Sequence, residues 1–119
     1  MTFAEYIAER LCRPFKWGEH DCICFAIGWV EIATGIDHLS AHRPWSSEAE
    51  AARLIASFGG LEQQFDRHLK RIDHNYARDG DITLIGNTAY LFSGSMIVSV
   101  GASGLVFKNR LDATCAWSY

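Results

Sequence analysis

DCICFAIGWVEIATG, running from Asp21 to Gly35, carries the strongest structural signal in the chain. Between Cys22 and Thr34 only Gly28, Glu31 and Thr34 interrupt the apolar residues. A helix that is apolar on nearly every face has to be buried on nearly every face. Asp21 is a natural N-cap, and Gly35 suits the left-handed position that ends a helix. The segment reads as the central helix of the domain, with Cys22 in its first turn.

Upstream, Thr2 and Glu5 have the spacing of a capping box, and Phe3, Tyr6, Ile7 and Leu11 follow at helical intervals. A first amphipathic helix is expected over roughly residues 3–12, stopped by Pro14. Downstream, IDHLSAHRPW reads as a loop. Ser47 and Glu50 form a second capping box, opening a helix through Leu54, Ile55 and Phe58 that ends at Gly59-Gly60. LEQQFDRHLKRI places Leu61, Phe65, Leu69 and Ile72 on one helical face.

Beyond Asp79-Gly80-Asp81 the period changes. DITLIG, AYLFSG, MIVSVG, GLVFKN and the tail TCAWSY are short β-rich runs broken by Gly, Asn and Ser. Helices first and strands after predict an α+β fold, with N-terminal helices and a buried central helix packed on a C-terminal antiparallel sheet. The 119 residues suit a single domain over 1–119.

Hydrophobic residues make up 49% of the chain and charged ones 21%, which excludes a disordered protein. The net charge is −3 and no block of Lys and Arg occurs, so no nucleic-acid partner is expected. No run approaches the ~18 apolar residues of a membrane span. The opening MTFAEYIAERLC carries Glu5 and Glu9 and no apolar signal core, so a chain made in a cytoplasm and not exported is expected. Cys12, Cys22, Cys24 and Cys115 include no CxxC pair and read as reduced thiols. Cys22 and Cys24 on one helix point about 200° apart, so they do not share a metal ion. Neither metal nor cofactor is expected.

The chemistry concentrates in PFKWGEHDC, Pro14 to Cys22. A thiol in a first helical turn faces unpaired N–H groups and the positive end of the helix dipole, and both favour the nucleophilic thiolate. Such a thiol needs a base, usually a histidine brought from elsewhere in the fold. His20, two residues before Cys22, is the first candidate, and the alternative is that it merely holds the entry loop. Trp17 can equally cover the core, Gly18 can serve a positive φ, and Asp21 can simply cap the helix. His38 and His42 lie in a loop, His68 on a helix face, and His74 just before the strands.

Phe15, Trp17, Gly18, Asp21 and Cys22, followed by a buried helix and then by Gly80-Asp81, resemble the NlpC-type cell-wall peptidases, which are compact papain-like cysteine peptidases. The sequence is most similar to a bacteriophage branch with a WG-x-H-D-C motif. That likeness extends to Thr34-Gly35, Gly59-Gly60 and Ala116-Trp117, and so covers nearly the whole chain. The resemblance implies a papain-like fold. Its site would have Cys22 as nucleophile, His20 and Asp21 beside it, and Trp17, Gly18 and Ser95 against the substrate. It also implies a phage protein, in the host cytoplasm during assembly and then in the virion tail. Its partners would be other phage tail proteins, with peptidoglycan stem peptides as a possible substrate.

The sequence departs from the pattern at the base. The strand matched to the histidine-bearing one is Ser95–Gly101, and Ser95 or Met96 stands where histidine is expected. No histidine follows His74. Serine does not accept a proton near neutral pH as imidazole does. The expected function is therefore a degenerate, structural member of the tail tip. The alternatives are an active peptidoglycan amide hydrolase using Cys22 and an intracellular thiol acyltransferase on the same fold.

Overall fold

The computed structural model describes residues 1–119. Four helices precede most of the sheet: α1 (Phe3–Arg10), α2 (Cys22–Thr34), α3 (Glu48–Ser57) and α4 (Leu61–His68). Six strands follow: β1 (Lys70–Ile72), β2 (Ile82–Ile85), β3 (Thr88–Ser93), β4 (Met96–Gly101), β5 (Gly104–Asn109) and β6 (Ala116–Ser118). They form one antiparallel sheet in the order β1-β6-β2-β3-β4-β5. The chain is thus an α+β domain, as the order of its periodicities predicts.

The helix starts follow their caps. Thr2 Oγ1 accepts the Glu5 N–H at 3.2 Å and the Glu5 carboxylate reaches back to the Thr2 N–H, closing the capping box. Ser47 Oγ accepts the Glu50 N–H at 3.1 Å, but the Glu50 carboxylate turns to Ser46 instead of Ser47. Gly35 ends α2 at φ 81°, a left-handed conformation that disfavours a side chain.

α2 lies on β3 and β4. It buries Phe25, Ala26, Ile27, Trp29 and Val30, more than any other helix. Its burial is not all-round, however. Ile32 is 41% exposed and Ile36, just past the end, is 56% exposed, so the last turn stands clear of the sheet. β3 is enclosed on both faces. Ala89 and Leu91 join the core under α2, while Tyr90 and Phe92 join a second cluster with Ala77, Ile97, Ala113 and Ala116. Its run of four buried residues reflects this two-sided cover.

The helix expected to run on to Ile72 stops at His68. Leu69 is extended at φ −124°, and Lys70–Ile72 pairs with β6 as an edge strand. The apolar spacing of Leu69 and Ile72 suits a helix, but the short β6 needs a neighbour on its outer side. Pairing Arg71 with Trp117 also brings the guanidinium onto Asp66 (2.9 Å) and Glu62 (2.6 Å) of α4.

Candidate functional site

Residues 14–22 form a hook at the head of α2. Lys16 and His20 bridge their backbones, and the turn between them holds Gly18 at φ 77°. A side chain at Gly18 would collide with the Trp45 carbonyl. Asp21 locks the hook. Its Oδ1 accepts the Cys24 N–H at 2.8 Å, capping α2, and its Oδ2 accepts the Gly18 N–H at 2.9 Å and the Trp45 indole N–H at 2.8 Å. Asp21 is buried, and both of its oxygens are occupied by the fold.

Cys22 is the first residue of α2 and is half-buried. Its Sγ lies 4.0 Å from the Asn87 carbonyl oxygen, where the chain enters β3. Burial pushes the thiol up to about 11. The Ala89 N–H opposes that rise, and the Asp21 carboxylate adds to it. The helix dipole is outweighed, and Cys22 is a protonated thiol at neutral pH.

Cys22, Trp17 and Asp21 border one cleft of about 620 Å³ between the helix head, α3 and the starts of β3 and α4. His20 is not there. It sits in a separate hollow with Tyr6, Arg10, Arg13 and Cys24, against the edge of Phe25. Cys22 and Cys24 open into different hollows, as their spacing on a helix requires. Burial, with Arg13 and Arg10 nearby, lowers the His20 pKa, and its Nε2 has no hydrogen-bond partner. Gly18 lies in an adjoining surface hollow with Trp17 and Trp45. Ser95 lies in the β3–β4 turn, where its carbonyl accepts the Arg110 N–H at 3.0 Å. From Thr88 at the other end of β3 it is separated by a six-residue strand, about 20 Å of chain.

Three cleft residues were not legible in the sequence. Asn87 and Thr88 begin the strand that faces Cys22. That strand, β3, is the second after Gly80-Asp81, whereas Ser95 lies in the turn before β4, the next one along. The signal for it was the Gly86-Asn87 turn. His42 also borders the cleft, with its ring on Phe58 at 4.8 Å. Its loop carries no periodicity that would place it.

His38 pairs with His68 at 5.7 Å between ring centroids, and burial lowers the His38 pKa. His74 lies in a short 3₁₀ turn beside Ala77 of the second cluster. Asp81 accepts the Arg78 N–H at 2.8 Å and so fixes the turn into β2. No three His, Cys, Asp or Glu side chains converge as metal ligands would. No helix is long and apolar enough to cross a membrane.

The fold and site define an α+β domain whose buried helix carries a cysteine at its head, set against the first residues of a strand. The chain belongs to the family described as a domain of unknown function (DUF6950), whose model matches residues 1–119. No curated protein and no solved structure matches it.

Proposed function

We propose that this domain is a papain-like module of the NlpC type that has lost hydrolysis and serves as a structural or assembly part of a phage tail, contacting other tail proteins. The observation that carries the reading is the surroundings of Cys22. The nucleophile position is kept at the head of the central helix, and the WG-x-H-D-C hook is kept around it. The groups at the thiol are the Asn87 carbonyl and the Ala89 N–H, neither of which takes up a proton near neutral pH, and the thiol pKa stands at about 11. Asp21, Gly18 and Trp45 then act as a structural lock.

The test is release of muropeptides from purified peptidoglycan, with the Cys22→Ala variant alongside, and mass spectrometry of purified virions. No release by either protein, with the chain found among tail proteins, supports the reading. Release that Cys22→Ala abolishes would overturn it. One observation favours that second reading, an active amide hydrolase: His42 borders the same cleft as Cys22. Were release found, His42 would be the first base to test.

A further inference from the structure

The cleft beside Cys22 is lined mostly by apolar side chains and holds no Lys or Arg. Of its 20 lining residues 14 are hydrophobic, so its interior favours an apolar body. Phe15 and Trp17 meet edge to face at 4.7 Å on one side, and Leu54 and Ile55 of α3 hang half-buried over the other. A volume of about 620 Å³ falls within the range of small-molecule sites.

The polar side chains in this lining are Asp21, His42, Glu48, Asn87 and Thr88, and no Lys or Arg is among them. Asp21 is already committed to three N–H donors, and the His42 ring rests on Phe58. Glu48 remains. It opens α3, is exposed, and has neither a hydrogen bond nor an ion pair. The cleft thus presents an apolar interior with one free carboxylate at its margin. A ligand bearing carboxylates, as a stem peptide does, would meet Glu48 and find no cation to pair with.

We infer that the cleft binds a small amphiphile with an apolar body and an uncharged or cationic head, the head lying by Glu48 and the body between α3 and the Phe15–Trp17 pair. The inference rests on the reading above only for the location of the site. Loss of hydrolysis is tested by muropeptide release, and this inference by affinity, so the two fail separately.

The probes are n-octylamine, 1-octanol and octanoate, which share one apolar body and differ in head charge. Each is titrated into the isotopically labelled protein and followed by backbone amide NMR. Octylamine and octanol should shift the amides of Leu54, Ile55 and Val100, and octanoate should bind about fivefold or more weakly than octylamine, since an exposed ion pair contributes modestly. Glu48→Gln should bring octylamine to within about twofold of octanol. Ala52→Phe, at an exposed α3 position that borders the cleft, should weaken all three about tenfold. Octanoate binding as tightly as octylamine, shifts confined to another face, or no saturation by any probe would overturn the inference. If Ala52→Phe lowers the melting temperature, the head-group series and Glu48→Gln still decide it.

Discussion

Cys22 Sγ stands 4.0 Å from the carbonyl oxygen of Asn87, at the entrance to β3. Burial favours S–H over S⁻ there, and the Asp21 carboxylate adds to it against the opposing Ala89 N–H. Reactivity among the cysteines should therefore follow exposure. With limiting iodoacetamide at pH 7.5, peptide mapping should find Cys12, which is exposed, modified before Cys22. Cys22 reacting first would mean an activated thiol.

Asp21→Ala should cost about 3 kcal/mol or more, since it removes an N-cap and leaves the buried Trp45 indole N–H unpaired. Asp21→Asn should recover only part, because its amide turns a donor towards N–H groups. Chemical denaturation measures both. A change below about 1 kcal/mol for Asp21→Ala would show that the hook is held by other contacts.

Trp117→Ala tests the short strands. Trp117 is fully buried, meets the edge of Phe65 at 5.3 Å and donates its indole N–H to Asp66 at 2.9 Å. Arg71 lies over its ring at 4.7 Å, so β1, β6 and α4 meet on this side chain. The loss should be about 3–5 kcal/mol. An unchanged melting temperature would contradict the pairing of β1 with β6.

His20 should give the domain an acid sensitivity. Its pKa in the fold is lowered from 6.5, by burial first and then by Arg13 and Arg10, while Asp21 opposes them. Below pH 6.5 the unfolded chain takes up a proton that the folded chain refuses, so stability falls as pH drops through that value. His38, lowered by burial and by His68, adds a slope of the same sign. The depressed carboxylates of Asp37 and Asp66 are protonated in the unfolded chain only at lower pH, and their contribution is lost there. His20→Gln should lose less melting temperature between pH 7 and pH 5 than the parent. An equal loss would remove His20 as the source.

Features set by neighbours in sequence were readable. Thr2 with Glu5, Asp21 with Cys24, and Gly35 at the end of α2 all follow from hydrogen bonds spanning three or four residues. Features set across space were not. The Trp45 bond to Asp21 spans 24 residues and has no periodic trace. Lys70–Ile72 follows a helical pattern and is a strand because β6 lies beside it. The resemblance points to the Ser95 strand as the wall facing Cys22, whereas the sheet order puts the start of β3 there. His20 lies only two residues before Cys22 in sequence, but the Lys16–His20 bridge turns it to the Cys24 side of α2.

Under the proposed function, Cys22 sits where a nucleophile would and has no base to activate it. The most direct test is the ionisation of Cys22, followed through its ¹³Cβ chemical shift in cysteine-labelled protein from pH 6 to pH 10, with Cys22→Ser to assign the resonance. The account predicts a thiol still protonated at pH 9, in keeping with a pKa raised to about 11. A midpoint below the ordinary 9.0 would reveal an activating partner at the sulfur and contradict it.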